Sequence, residues 1–166
     1  SRARRADRDA VDPTFEIEKS VVDGIGFAAV VTATPKPFAF RLKNITNPRL
    51  KAVLQAAAEK FRWEVNRSSP ERGFGIACGT DKGGYVATCA EVTIDPSTNR
   101  VKIQRAVQAW ECGAIINPDG LRNQVQGALV QGIGGALFER ILFSNGRIEN
   151  PHLSKYRFPR FSDTPQ

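Results

Sequence analysis

A chain of 166 residues with 41% apolar side chains supports one modest core and one domain. Its formal net charge of +7 favours contact with something acidic, whether nucleic acid, an anionic cofactor or an acidic protein. Three cysteines without a C-x-x-C pair, and one histidine, exclude a four-thiolate zinc site and argue against a secreted disulfide framework.

In chain order, residues 1–13 are rich in arginine and aspartate and have no apolar run behind them. They read as a flexible basic arm, not as a signal peptide. Position 1 is not Met, so a piece of a longer polypeptide is expected. Residues 15–28 fit a short helix, with Ile17, Val21, Val22 and Ile25 on one side, and Val30 to Thr34 reads as extended until Pro35 and Pro37 end it.

The first strong signal covers residues 47–61. Asn47-Pro48 opens a helix with proline inside its first turn. Leu50, Val53, Leu54, Ala57, Ala58 and Phe61 then recur at helical spacing, which predicts an amphipathic helix on a core. Residues 70–84 hold six residues of glycine or proline and read as a glycine-rich stretch ahead of the first strand. Strands are predicted over 85–94, with Val86, Ala90, Val92 and Ile94 sharing a face, and over 101–109, with Val101, Ile103, Val107 and Ala109 sharing a face. Asp95 to Arg100 is turn chemistry, so the two form a hairpin, and Glu91 is expected to pair with Arg105 across it.

Glu111 to Gly120 reads as a turn-rich loop, and a helix is predicted over 120–138 with Leu121, Val125, Ala128, Leu129, Gly132 and Ala136 as its apolar stripe. Gly127, Gly132, Gly134 and Gly135 each weaken that helix by about 1 kcal/mol relative to alanine, so a backbone or a ligand should approach it closely. Val125 to Phe138, the longest uncharged stretch, is too short and too polar to span a bilayer, and no transmembrane segment is expected. Asn145-Gly146 predicts a second hairpin over 139–149, and the rest of the chain reads as irregular. The fold class is α+β, without the repeating βαβ of a nucleotide-binding domain.

Few residues stand out as chemistry. No P-loop, dinucleotide fingerprint or nucleophile elbow is present, and no catalytic or metal-ligating residue is assigned. His152 reads as a surface or hydrogen-bonded residue, and Cys78, Cys89 and Cys112 as buried or partly buried free thiols. Gln124, Gln126 and Gln131 are more telling, because they interrupt an almost apolar segment. Gln124 and Gln131 are seven residues apart, on one side of a helix. A carboxamide donates and accepts without adding charge; ordinary helix-to-loop hydrogen bonding is its plain role, and near Gly127 it could instead touch a ligand that comes close to the backbone. Phe158 and Phe161 interleave with Arg157 and Arg160, a pattern that single-stranded nucleic-acid binders use, but no recognised nucleic-acid motif accompanies it and no nucleic acid is expected.

Glu111-Cys112-Gly113, Asn117-Pro118 and Asn123-Gln124-Val125-Gln126-Gly127, followed by Gln131-Gly132-Ile133-Gly134, together resemble the molybdopterin-binding large subunit of the xanthine dehydrogenase and aldehyde oxidase family. The likeness is greatest to the beta subunits of the bacterial isoquinoline 1-oxidoreductases and aldehyde dehydrogenases. Gln126 stands where that pattern has Glu. Phe15 to Asp23, Pro37 to Asn44, Lys51 to Trp63, Arg72 to Ala77, Asn145 to Arg147 and Tyr156-Arg157 resemble further family segments in the same order.

The resemblance implies that residues 14–166 are a fragment of the C-terminal molybdopterin-binding domain, with helices packed on antiparallel hairpins. It implies that Gln124 hydrogen-bonds the molybdenum cofactor, with Gly127 and Asn117 shaping the loop around it. The family's catalytic glutamate has no counterpart in this chain, so the isolated chain is expected to be inactive. The implied activity is oxidative hydroxylation of an aldehyde or N-heterocycle in a complete assembly. That assembly would include the rest of the large subunit, an iron–sulfur small subunit, and an FAD or cytochrome subunit, in the cytoplasm or periplasm with the cytoplasm favoured. The alternative is a non-catalytic structural or protein-interaction module derived from the same fold.

Overall fold

The computed structural model describes residues 36–65 and 68–165. The expected basic arm, the helix over 15–28 and the extended run at 30–34 lie outside the described residues. The fold is mixed α and β, with antiparallel strands.

Among the described residues two helices come first, α1 (Pro37–Asn44) and α2 (Pro48–Phe61). The apolar spacing over 37–44 does not predict a helix there, and the local signal for α1 is Pro37 in its first turn. The start of α2 is as expected: the Asn47 side-chain oxygen accepts from the backbone N–H of Arg49 at 2.9 Å and of Leu50 at 3.1 Å. Arg62 ends the helix in the left-handed region, with φ 59°.

A three-stranded antiparallel meander follows, with β1 (Arg72–Asp81), β2 (Gly84–Asp95) and β3 (Arg100–Glu111) in that order. β1 corrects the reading of 70–84 as a glycine-rich stretch before the first strand. Its glycines fall on alternate positions, so Gly73, Gly75 and Gly79 share one face with Ala77 while Phe74, Ile76 and Cys78 share the other. Lys82 and Gly83, with φ 47° and 83°, form the two-residue turn into β2 that a right-handed strand twist favours.

Cross-strand partners lie on one face of a sheet. Phe74, Ile76 and Cys78 of β1, Ala87 and Cys89 of β2, and Val107 and Ala109 of β3 therefore share the face that α2 covers. Val53, Leu54, Ala57, Ala58 and Phe61 of α2 fill that core, with Leu54, Ala57 and Phe61 fully buried. The expected single stripe along β3 is broken. Glu91 opposes Arg105 and Val92 opposes Ile103, so Gln104 is an extra residue in β3. That bulge puts Val107 and Ala109 on the core face and Val101 and Ile103 on the other. Glu91 pairs with Arg105 at 3.4 Å as expected, and also with Arg72 at 2.7 Å.

The hairpin at Asn145-Gly146 forms as expected, between β4 (Phe143–Ser144) and β5 (Arg147–Ile148), with φ 50° and 74° at the turn. No helix of the described residues is long and apolar enough to cross a membrane.

The three thiols are free, but the expectation that all are at least partly buried fails for Cys112, which is exposed on the loop after β3. Burial pushes the Cys89 thiol up to about 12, against the opposing pull of Arg105 and Arg41. A thiol reagent at mildly alkaline pH, followed by mass spectrometry, is expected to label Cys112 first, Cys78 more slowly, and Cys89 only after unfolding. Labelling of Cys89 at the rate of Cys112 in the folded chain would contradict this core.

A groove between a polar helix face and the tail

The helix that carries the glutamines is α3 (Pro118–Leu137), two residues longer at its start than expected. Its base is fixed from the sheet. Glu111, at the end of β3, pairs with Arg49 of α2 and accepts from the backbone N–H of Gly113 at 2.9 Å. The Arg49 hydrogen bond is the main cause holding the Glu111 carboxyl below the usual carboxylate range. Gly113 has φ 81°, so the chain turns there into the loop before α3. Asn117 then caps the helix, its side-chain oxygen accepting from the Gly120 N–H at 2.9 Å.

Beyond its base α3 leaves the sheet. The apolar stripe that should have met a core stays half-buried or exposed, and only Ile133 and Gly134 of this helix are buried. What covers Gly134 is the chain's own tail. A side-chain carbon at Gly134 would lie 2.8 Å and 2.9 Å from two ring atoms of Pro159. The close approach inferred from the glycines is therefore real at this position, and its occupant is protein.

The tail is led to that contact by specific polar bonds. The buried Asn150 side chain accepts from the Leu142 N–H and donates to the Arg140 carbonyl, both at 2.7 Å, closing the small hairpin. The Tyr156 hydroxyl donates to Glu139 at 2.8 Å, and this bond is the first cause raising its phenol above the usual range. The Arg157 guanidinium lies 4.3 Å from the Phe138 ring centroid and pairs with Asp163 at 2.8 Å.

Between α3 and this tail runs an open groove of about 1120 Å³. Asn123, Gln124, Gln126, Gly127, Ala128, Val130 and Gln131 form its helix wall, and Phe158 to Ser162 with Thr164 form the other. Gln124 and Gly127, both expected as site residues, are thus brought together, and Gln131 joins them on the same wall. Asn117 does not line the groove, and its side chain is engaged in the helix cap. A side-chain carbon at Gly127 would meet nothing within 4 Å, so this part of the helix surface is open to an approaching group. Among the described residues the carboxamides of Asn123, Gln124, Gln126 and Gln131 have no side-chain partner in the protein, leaving their donors and acceptors available.

Sequence reasoning misses the tail wall. Phe158, Arg160 and Phe161 stand out as an arginine–aromatic interleaving, but nothing in that spacing says that Arg157 turns to Phe138 while Arg160 lines a groove. Among the described residues no group of three histidines, cysteines or carboxylates could hold a metal ion.

Comparison with known proteins adds a consistent finding. A family model described as a molybdopterin cofactor-binding domain matches residues 28–165. The chain is 30% identical to the beta subunit of isoquinoline 1-oxidoreductase from Brevundimonas diminuta over 175 aligned residues, covering 95% of this chain and 22% of that protein. It is 25% identical to a nicotinate dehydrogenase component from Pseudomonas putida, over 92% of this chain and 14% of that one. It is 33% identical to the molybdenum-binding subunit of xanthine dehydrogenase from Escherichia coli O157:H7, over 58% of this chain and 14% of that one. The chain spans about a fifth or less of the length of these relatives.

Proposed function

The chain belongs to the molybdopterin cofactor-binding domain family, and from that premise we propose that its groove is one wall of the cofactor cradle in a molybdenum hydroxylase large subunit. One observation carries the reading. Four uncommitted carboxamides line one wall of an open groove beside a glycine whose surface is open. A pterin presents alternating N–H, ring-nitrogen and carbonyl groups, and a carboxamide matches such an edge with one donor and one acceptor from the same side chain.

In this proposal Gln124 holds the cofactor, Gly127 lets it approach the helix backbone, and Asn117 acts at one remove by fixing where α3 begins. The cofactor, when bound, supplies the two-electron oxidation chemistry. These residues bind and orient it. The remainder of the large subunit would complete the cradle, an iron–sulfur subunit and an FAD or cytochrome subunit would carry electrons away, and the substrate would be an aldehyde or an N-heterocycle. The three free thiols favour a reducing cytoplasmic setting.

The test is Gln124→Ala in the assembled enzyme, with molybdenum per protomer measured by metal analysis. Loss of a hydrogen-bonding partner inside a closed site costs roughly 1–3 kcal/mol, so molybdenum occupancy at limiting cofactor should fall about tenfold, with the fold unchanged by circular dichroism. Full molybdenum content in that variant would remove Gln124 from the cradle.

A further inference from the structure

Among the described groove-lining residues only Arg160 is charged, and none is a carboxylate. The rest of the polar lining is neutral amide and hydroxyl. The Arg160 guanidinium stands 5.1 Å from the Phe158 ring centroid, within cation–π distance, so an aromatic face supports it. It forms no ion pair with a carboxylate among the described residues. Asp163 is the neighbouring acid, and its carboxylate accepts from the Arg157 side chain at 2.8 Å and from the backbone N–H of Arg160 at 2.6 Å. Asp163 therefore shapes the turn that presents Arg160 without bridging to its guanidinium. Arg157, the other arginine of this segment, is held by Asp163 and Phe138.

A guanidinium fork whose donors are not taken by a carboxylate, on the rim of a groove lined by neutral donors, selects for an anion with paired oxygens. The geometry points to Arg160 as the anion-binding residue of the groove, taking a phosphate or pyrophosphate group alongside the carboxamides of Gln124 and Gln131. The ligand chemistry is a phosphate ester, and the inference rests on the cofactor reading only for which ester that is. Because Arg160 is exposed, the contact should weaken as salt rises.

Inorganic pyrophosphate titrated into the isotope-labelled chain at low salt tests this by NMR. Saturable shifts are expected at the Arg160 side-chain N–H and at the Gln124 and Gln131 carboxamides. Arg160→Gln should weaken binding about tenfold, the loss of one charge-assisted contact. Arg160→Lys should recover part of it, and Arg147→Gln, which removes the same charge from the distant hairpin, should leave it intact. Absence of saturable shifts, binding unchanged in Arg160→Gln, or an equal loss in Arg147→Gln would each overturn the assignment.

A phosphate-free pterin forms the second arm. Shifts at Gln124 that persist in Arg160→Gln are expected, since the ring carries no anion, and loss of those shifts with Arg160 would overturn a role confined to phosphate. Pyrophosphate binding through Arg160, in a protein whose assembled form keeps its molybdenum without Gln124, would leave Arg160 standing and remove the cofactor reading instead.

Discussion

Replacing Phe61 by alanine is expected to remove a large share of the chain's net stability, about 3–5 kcal/mol. Phe61 is fully buried at the end of α2. Its ring meets Phe74 edge-on at 6.1 Å and Trp63 at 6.0 Å, and the Arg105 guanidinium sits 4.1 Å from its centroid. Truncating a buried phenylalanine costs about 3–5 kcal/mol through lost transfer energy and the cavity left behind. Domains of this size have about 5–15 kcal/mol in total. Phe61 belongs to the cluster by which α2 covers the sheet, with Phe38 and Leu42 of α1 and Trp63 packed at its edge. Phe61→Leu keeps most of the volume and should cost less than about 1.5 kcal/mol. Urea unfolding of both variants checks this. An alanine variant within about 1 kcal/mol of the parent, roughly the error of the extrapolation, would mean that α2 is not seated as described.

Gly134→Ala is expected to release the tail from α3. In an ordinary helix interior this change gains about 1 kcal/mol. Here the new carbon would fall 2.8 Å from the Pro159 ring and 2.0 Å from the Glu139 carboxylate. The carboxylate is flexible, but Tyr156 holds it, and the proline ring cannot rotate away. Overpacking of this kind costs about 1–3 kcal/mol, so the helix gain is outweighed. The expected consequence is local: the Tyr156–Glu139 bond and the Arg157–Phe138 stack open together, and the groove loses its second wall. Trypsin cleavage after Arg157 and Arg160 should accelerate about tenfold, the factor that corresponds to about 1.4 kcal/mol in an opening equilibrium. The global unfolding midpoint should change little. Gly127→Ala, where the added carbon meets nothing within 4 Å, should leave the tail seated. Equal cleavage rates in parent and Gly134→Ala would show that the tail does not depend on this contact.

Much of the fold is legible without coordinates. The Asn47-Pro48 start and the apolar spacing of α2, the turn chemistry between β2 and β3, and the Asn145-Gly146 hairpin are all local signals, and each element forms where the local chemistry asks for it. The misses are of another kind. β1 is hidden because alternating glycines remove the apolar periodicity on one of its faces. The split stripe of β3 is hidden because a bulge at Gln104 is a property of pairing between strands.

The candidate site divides along the same line. Gln124 and Gly127 are recognisable because polar amides and a glycine are out of place in an apolar helical stretch. The order of residues alone therefore determined that α3 carries a polar face in an otherwise apolar stretch, and the family resemblance attached a ligand to it. Only the tertiary structure decided what stands opposite that face. The tail returns because Gly134 leaves room for Pro159 while Tyr156, Arg157 and Asn150 find partners distant in sequence. The physical reason is that helix and turn propensities act over a few neighbouring residues. The closing of a groove depends on contacts between segments whose separation no local pattern records.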